Sequence, residues 1–363
     1  MNESINPVGI GIVGAGVISE IYLKNLSTLF DHTRVVGVAD VLPERAQARA
    51  DQFGVEALTV DELLAHPDIE LVVNLTIPAA HAEIGFRALE AGKSIYNEKP
   101  LAIEREDGKR LLALAKKKGL RVGSAPDTFL GGGLQTVRRL LDEGVIGEPV
   151  AVNAALLGHG MEAWHPDPFF FFQPGAGPLF DVGVYYVTAL TSLLGPFARV
   201  SSLARASFPE RTIGNGPKLG EKIPVTTPTH IVSSVEFASG VLGSLTASFD
   251  VWDTDFANLT IYGTTGTLRC PDPNTFGGPI KLLVGGEEDW QEIPVTLPNT
   301  ENSRGLGAAD LAMAIRTGGP SRVDGELGYH VLDVMHAVLE SAEHGTLVAV
   351  ESTVARPAPV EAE

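Results

Sequence analysis

Short apolar runs alternate with amphipathic segments through the first third of the chain. Residues 8–13, 34–39 and 70–77 are apolar runs of the kind expected for strands buried on both faces. Residues 43–53 and 79–91, which follow two of these runs, have a helical pattern. Repeated strand–helix units of this size predict a doubly wound parallel sheet with right-handed crossovers.

The same alternation predicts the other elements of this part. The helix after the first run is expected to bury one face, formed by Ile18, Tyr22, Leu26 and Leu29. Asp61 is expected to cap a short helix over residues 61–65. Further predicted elements are a strand at residues 94–97, a helix at 103–118 and a strand at 120–122.

Beyond residue 124 the alternation gives way to strands separated by turns. Predicted strands lie at residues 150–157, 200–208, 230–237, 241–249, 258–262, 267–270 and 281–284, and helices at 134–142, 307–316 and 326–344. Runs of strands with few helices indicate an α+β domain with a large, mostly antiparallel sheet. We therefore predict an α/β chain of two domains, residues 1–128 and 129–363.

Composition narrows the partners and the location of the protein. The formal net charge of −18 disfavours nucleic acids and anionic membranes, which need a basic surface. A single cysteine, Cys270, excludes a disulfide framework and a cysteine cluster for zinc. The first seven residues do not resemble a signal peptide and no run is long enough to span a membrane, so we expect a cytoplasmic protein.

A glycine turn joins the first predicted strand to the first helix. Gly14 suits the tight turn, and Gly16 would let a pyrophosphate approach the helix N-terminus. The second strand ends at Asp40, whose carboxylate suits an adenosine ribose and would repel a 2′-phosphate. The pattern favours NAD over NADP, although Arg45 nearby would suit the extra phosphate of NADP.

Lys99 follows the predicted strand at residues 94–97, at the edge of an open parallel sheet where ligands bind. A lysine in a loop before a helix is also a common solvated residue. Its neighbour Glu98 is placed to hold the ammonium group, which favours an active-site role.

These motifs together resemble one protein family. The glycine turn, Thr76-x-Pro78 followed by His81, and Glu98-Lys99-Pro100 are similar to the glucose-fructose oxidoreductase / inositol dehydrogenase / MocA family. The resemblance implies a Rossmann domain, a substrate-binding and oligomerisation domain, and a catalytic Lys99 whose following proline is commonly in a cis peptide. It also implies the cofactor-binding set Gly14, Gly16, Val17, Ile18, Asp40, Thr76, Pro78, His81 and Glu98.

A second candidate group lies on a helix predicted to run from residue 179 to 194. Asp181 and Tyr185 are four residues apart and therefore share one helical face. The family resemblance implies that both contact substrate, with Tyr185 replacing the more common histidine. Tyr186 would project about 100° away.

A tyrosine base needs a lowered pKa, because a free phenol titrates near pH 10. The ammonium group of Lys99 is the expected source of that shift. The reverse assignment, with Lys99 carrying the proton and Tyr185 orienting the substrate, stays open.

His159, Trp164 and His165 lie on the loop before this helix. They are candidates for lining a sugar pocket and equally for packing. The spacing of His159, His165 and Asp181 matches no compact metal motif, so no metal site is predicted.

The leading functional prediction, which rests mainly on the resemblance, is hydride transfer between NAD(P) and a secondary hydroxyl of a sugar, cyclitol or related polyol. The alternatives are a glycosidase or lyase that oxidises its substrate transiently with a tightly bound NAD, and a non-catalytic dinucleotide-responsive binder. We expect a homodimer or homotetramer. The choice of substrate, hydroxyl and physiological direction stays open.

Overall fold

The computed structural model describes residues 6–361, so most of the chain start considered above lies outside the described residues. The described part forms two compact units. The first unit reaches Leu130 and also includes Asn302–Leu332, and the second comprises Gly131–Glu301 and the chain from Asp333 onward.

The elements are numbered in chain order. The strands are β1 (Val8–Val13), β2 (Thr33–Ala39), β3 (Glu56–Leu58), β4 (Leu71–Asn74), β5 (Ser94–Asn97), β6 (Val122–Ser124), β7 (Pro149–Leu157), β8 (Phe197–Arg205), β9 (Glu210–Thr212), β10 (Lys222–Pro224), β11 (His230–Phe237), β12 (Leu242–Ser248), β13 (Leu259–Gly263), β14 (Gly266–Cys270), β15 (Ile280–Val284), β16 (Gln291–Ile293) and β17 (Val348–Ala349). The α-helices are α1 (Ser19–Thr28), α2 (Pro43–Phe53), α3 (Val60–Ala65), α4 (His81–Glu90), α5 (Arg105–Lys118), α6 (Gly132–Asp142), α7 (Val184–Leu194), α8 (Leu306–Thr317) and α9 (Gly325–His344).

The first unit contains a six-stranded sheet in the order β3-β2-β1-β4-β5-β6, with every pair parallel. All residues of β1, β4 and β5 are buried, as expected for strands covered by helices on both faces. The predicted doubly wound sheet is confirmed. Strand order reverses between β1 and β4, and this places the ligand-binding crevice at their carboxyl ends.

The second unit contains a nine-stranded sheet in the order β16-β15-β14-β13-β7-β12-β11-β8-β17. Its pairs are antiparallel except β7 with β12, which run parallel. Along β11, buried residues alternate with more exposed ones, as expected when one sheet face packs on a core. The predicted mostly antiparallel sheet is confirmed.

The segment Asn302–Leu332 groups with the first unit, whereas the sequence pattern assigned it to the second domain. Helix α8 packs against β1 and β6, and Gly123 forms an antiparallel bridge with Asp324. The chain therefore returns to the parallel sheet after completing most of the second one. Local hydrophobic patterns carry no signal for such a return.

Two local predictions are wrong. Thr59, not Asp61, caps α3: its hydroxyl accepts from the Glu62 amide at 3.2 Å, and Glu62 accepts from the Thr59 amide at 2.8 Å. This reciprocal pair is a capping box, which satisfies two backbone donors at once. Leu29 lies at the end of α1 and is 54% exposed, so it does not continue the buried face of Tyr22 and Leu26.

Asp127 follows β6, and its buried carboxyl group contacts the backbone at the start of α8. The environment of this group makes the stability of the protein depend on pH. Asp127 is 2% exposed, and Oδ2 accepts from the amides of Gly305 and Gly307 at 2.9 and 3.0 Å. Burial raises its pKa from 3.8 to about 6. The folded state therefore holds this proton more tightly than the unfolded state, so this group makes the free energy of unfolding fall as the pH rises between these values.

We expect Asp127→Asn to remove this dependence, because the amide oxygen still accepts and never ionises. Relative to wild type, the variant should gain about 2 kcal/mol of stability between pH 4 and pH 7. Urea unfolding of both proteins across that range measures the difference. Asp289→Asn, at an exposed site, is the matched control. Parallel curves for wild type and Asp127→Asn would contradict the assignment.

Candidate active site

Four strands of the first unit end in candidate residues at one edge of the sheet. Gly14 follows β1, Asp40 follows β2, Thr76 lies just beyond β4, and Glu98 follows β5. Carboxyl ends of parallel strands share one edge, so the fold gathers side chains that are far apart in sequence. The cofactor candidates predicted from the sequence lie along this edge or in the helix starts that follow it.

The glycine turn fits a diphosphate. Gly14 has φ +104°, and a Cβ there would lie 2.7 Å from the carbonyl carbon of Leu75, so a side chain is excluded by conformation and by space. A Cβ on Gly16 would meet nothing within 4 Å, which leaves open space above its backbone. Val17 is 91% exposed, and Ile18 supplies no side-chain cap to α1. An anion is well suited to such a helix N-terminus.

Asp40 is held in place by two backbone amides. Its Oδ2 accepts from Ala15 at 2.7 Å, and its Oδ1 accepts from Leu42 at 2.9 Å. Each carboxylate oxygen has a further lone pair, so the group also has acceptor capacity for ribose hydroxyls. Its attachment to Ala15 ties the position of this negative charge to the glycine turn.

Two buried asparagines, absent from the sequence predictions, connect the loops that follow β4 and β5. Asn74 and Asn97 are both fully buried, and Asn74 Nδ2 donates to Asn97 Oδ1 at 2.9 Å. Asn97 Nδ2 in turn donates to the Leu101 carbonyl at 2.9 Å. Thr76 Oγ1 donates to Asn74 Oδ1 at 2.7 Å. This relay orients the Thr76 hydroxyl proton inward, so its oxygen lone pairs face away from Asn74 and suit a donor.

His81 joins the same two loops from behind. The ring is fully buried, with Nδ1 2.7 Å from the Pro100 carbonyl and Nε2 3.1 Å from the Thr76 carbonyl. Burial is the largest influence on its pKa and lowers it, while the contacts with the Pro100 and Thr76 carbonyls act in the opposite direction. Both ring nitrogens face protein carbonyls, and the neutral ring, which has one N–H, donates to only one of them. This geometry supports a role in positioning Thr76 and Pro100.

Glu98 and Lys99 form the end of the β5 loop. Glu98 Oε1 accepts from the Tyr22 hydroxyl at 2.8 Å, and Oε2 accepts from the backbone amide of Lys99 at 2.9 Å. Burial, followed by the nearby Glu98 charge, raises the pKa of Tyr22 and keeps it a donor. Lys99 is half-buried, and its peptide bond to Pro100 is cis, as the family resemblance implies.

In the second unit, Asp181 lies in a π-helical turn at Leu179–Gly183, and Tyr185 lies in the first turn of α7. The helix predicted over residues 179–194 is present, with its first turn π-helical and the remainder α-helical. π-Turns inside helices occur frequently at functional sites. Asp181 is half-buried and Tyr185 is 8% exposed.

Tyr186 has a packing role. It is fully buried, and its hydroxyl lies 2.7 Å from Asn258 Nδ2 and 3.3 Å from Asp272 Oδ1. Burial raises its pKa, which disfavours a role as a base. Of the two adjacent tyrosines, Tyr185 therefore stays the candidate for chemistry.

The structure brings two of the three loop candidates, Trp164 and His165, together and places His159 against a different ring. Trp164 is 60% exposed, and its carbonyl accepts from Asn215. His165 packs edge-on against Trp164 and Phe171, with Nδ1 accepting from the Asp167 amide at 3.1 Å. His159 instead stacks on Trp252.

Residues 6–361 show neither a metal-binding cluster nor a helix suited to a membrane. No group of three or more His, Cys, Asp or Glu within this range is arranged to hold a metal ion. None of the helices described here has the length and apolar character needed to cross a membrane.

Comparison with known proteins adds an independent finding. A family model described as an oxidoreductase family with an NAD-binding Rossmann fold matches residues 8–125. A second model, the GFO/IDH/MocA C-terminal domain, matches residues 134–269. The two matches cover both units and more than half of the chain.

Individual relatives agree with these models. Levoglucosan dehydrogenase of Pseudarthrobacter phenanthrenivorans is 27% identical in an alignment 347 positions long, which covers 84% of this chain and 86% of that protein. Inositol 2-dehydrogenase of Salmonella typhimurium is 32% identical over 149 residues, 39% of this chain and 44% of that protein. The solved structure of levoglucosan dehydrogenase with NADH and levoglucosan has the same fold, with a TM-score of 0.80 at 23% identity, covering 96% of this chain and 100% of that one. The chain belongs to the GFO/IDH/MocA family of oxidoreductases, whose first domain is an NAD-binding Rossmann fold.

Proposed function

We propose that the protein is a dehydrogenase that transfers a hydride between NAD and a secondary hydroxyl of a sugar, cyclitol or related polyol. The observation that carries the proposal is Lys99, half-buried at the carboxyl end of β5, on the same sheet edge as an open glycine cradle. Relatives named for levoglucosan, inositol and 1,5-anhydro-D-fructose support the substrate class.

The residues of the first unit suit NAD. The amides around Gly16 and the start of α1 would hold the diphosphate, and Asp40 would accept from the adenosine ribose. Thr76 offers lone pairs to a donor of the cofactor, since its own proton is committed to Asn74. When bound, the nicotinamide supplies the acceptor for a hydride from the carbinol carbon.

The proposed proton transfer uses Lys99 and Tyr185. As the substrate carbon loses its hydride, the hydroxyl proton passes to the Tyr185 phenolate, and the C–O bond becomes a carbonyl. The Lys99 ammonium favours ionisation of the phenol and stabilises charge on the substrate oxygen. Asp181 accepts from a neighbouring substrate hydroxyl and orients the ring. The products are a ketone, reduced cofactor and one proton.

Turnover on a panel of sugars, cyclitols and linear polyols tests this proposal. We expect absorbance of reduced nicotinamide to rise with NAD and at least one member of the panel. Product formed without net reduced cofactor would instead indicate a transient-oxidation glycosidase or lyase. Cofactor binding without conversion of any substrate would favour a non-catalytic binder.

We expect Asp40→Asn to reduce the preference for NAD over NADP by about tenfold, because removing the charge lessens repulsion of a 2′-phosphate. The measurement is kcat/KM with each cofactor. The amide has one acceptor oxygen where the carboxylate has two, so the variant keeps only one of the bonds to Ala15 and Leu42 and KM for NAD should also rise, whereas kcat with NAD should change little. Asp51→Asn, on the surface of α2, is the matched control. An unchanged cofactor preference in Asp40→Asn would contradict the proposed role.

The outer face of the second sheet suits assembly of identical chains. Leu203, Val232 and Leu242, on the neighbouring strands β8, β11 and β12, are 75%, 44% and 58% exposed. Exposed apolar side chains on adjacent strands are typical of an interaction surface. We propose a homodimer or homotetramer formed through this face, and light scattering of Leu203→Glu against wild type would measure the change in mass.

A further inference from the structure

The second unit presents a tryptophan that is both exposed and held by stacking. The Trp252 side chain is 81% exposed, yet its ring stacks on His159 with centroids 3.4 Å apart and planes 14° apart. Exposed aromatic residues need no explanation when they are mobile and isolated. An indole held against a second ring instead offers its free face to a flat apolar ligand.

The fold brings these two rings together at the ends of neighbouring strands. His159 follows β7, and Trp252 follows β12, which runs parallel to β7. Two backbone bonds extend the pairing beyond the strands, from Gly158 to the Ser248 carbonyl and from Val251 to the Gly158 carbonyl, both at 3.0 Å. The stack therefore forms where a regular ladder stops.

A buried ion network supports the stack from below. Arg211 donates to Glu162 at 2.6 Å, to Asp250 and to the Phe249 carbonyl at 2.8 Å. Its guanidinium also lies over the Phe208 ring, 4.6 Å from the centroid, and the Phe208 ring is edge-on to His159. Arg211 Nη1 lies 3.5 Å from His159 Nε2. Arg211 therefore forms ion pairs with both the segment that follows β7, through Glu162, and the segment that follows β12, through Asp250.

The Trp252 loop is also attached to the helix that carries Asp181 and Tyr185. At its start, Phe249 belongs to an apolar cluster against which Val182, the neighbour of Asp181, packs. At its end, Asn258 Nδ2 donates to the hydroxyl of Tyr186, the neighbour of Tyr185. The two helix residues that hold the loop, Val182 and Tyr186, are therefore each adjacent in sequence to a proposed substrate-binding residue.

We propose that the free face of Trp252, backed by His159, is a carbohydrate platform that stacks on the C–H face of a ring-shaped sugar or cyclitol. This inference rests on the proposed function and makes it more specific. A pyranose or cyclitol ring has a rigid apolar face that matches an indole, whereas a linear polyol has none. The platform therefore selects cyclic over acyclic substrates through binding.

The test compares Trp252→Ala with wild type on a cyclic and a linear substrate of the panel. We expect KM for the cyclic substrate to rise about tenfold with kcat changed less than about twofold, because stacking contributes equally to ground and transition states. KM for the linear substrate should change less than about twofold. Trp252→Phe should recover most of the cyclic-substrate affinity. Trp290→Ala, which removes a tryptophan stacked on Arg269 elsewhere in the unit, is the matched control.

Binding measured without turnover separates this inference from the proposed function. Saturation-transfer NMR with the cyclic sugars should show contacts in wild type that are lost in Trp252→Ala and retained in Trp290→Ala. Wild type that binds these sugars through Trp252 but reduces no cofactor would overturn the dehydrogenase proposal and support the platform. Equal KM values, or equal NMR signals, in Trp252→Ala and wild type would overturn the platform.

Discussion

Replacing Lys99 by methionine is expected to lower kcat by about a thousandfold, the order of magnitude for loss of a preorganised charge that stabilises the transition state. The affinity for NADH should change little, because Glu98 accepts from the backbone amide of residue 99, which the variant retains. Steady-state turnover and a fluorescence titration with NADH measure the two quantities. Lys118→Met, which loses the contacts of a partly exposed ammonium group with the Glu90 carboxylate and carbonyl, is the matched control.

The pH profile of this variant tests the proposed coupling between Lys99 and Tyr185. If the ammonium favours ionisation of the phenol, the basic group that limits kcat/KM should titrate at higher pH in Lys99→Met. Tyr185→Phe should remove that limb of the profile altogether. Full turnover by Lys99→Met would contradict its catalytic role. An unmoved profile with low turnover would assign the proton to a group other than Tyr185.

Replacing Arg211 by methionine is expected to lower the free energy of unfolding by about 3–5 kcal/mol, the cost of breaking a buried ion pair on one side. The Arg211 side chain is 5% exposed, and the change leaves the Glu162 and Asp250 carboxylates buried without their cation. Thr229 Oγ1 still donates to Asp250 at 2.8 Å, which offsets part of this cost. Denaturant unfolding measures the loss.

Arg199→Met is the matched control for this stability prediction. The Arg199–Glu236 pair lies on the second sheet with side chains 51% and 31% exposed, so its loss should cost less than about 1 kcal/mol. Similar losses in the two variants would contradict the special role of the Arg211 network. We also expect Arg211→Met to bind the cyclic substrate more weakly under conditions in which the variant is folded. The reason is that Arg211 and Phe208 contact His159, which backs the Trp252 ring.

The regular elements of the first unit could be predicted closely from residue order. The predicted bounds of β1, α2 and β5 coincide with those in the structure. A strand buried on both faces needs a continuous apolar run, and a helix on a sheet needs an apolar stripe. Both requirements are local, so the chain expresses them within a few consecutive residues.

The differences between prediction and structure have separate physical causes. Thr59 and Asp61 are both good helix caps, and the reciprocal bond with Glu62 favours Thr59. The π-turn at Leu179–Gly183 inserts a wider ring into a helix that reads as uniform. The short strands β3, β9, β10, β16 and β17 were not predicted, because two or three residues of strand carry too little pattern.

The candidate site likewise contains residues that local sequence patterns identify and residues that only the folded structure brings together. Gly14, Asp40 and Lys99 could be identified from the chain, because a tight turn, an acid after a strand and a lysine before a proline are local patterns. Asn74, Asn97 and Trp252 could not, nor could the pairing of Trp252 with the candidate His159, since these contacts join residues far apart in the chain through strand pairing.

Residue order alone specified the two sheets, the glycine cradle and the family, because each depends on short-range periodicity or on contiguous motifs. Folding decided which polar groups are buried together. It therefore decided which residues hold the site residues in position and which residues face solvent. It placed the His81 ring between the carbonyls of Pro100 and Thr76, and it buried Tyr186 with its hydroxyl against Asn258. The physical reason is that burial and hydrogen-bond partners are properties of neighbours in space, which the order of residues along the chain does not display.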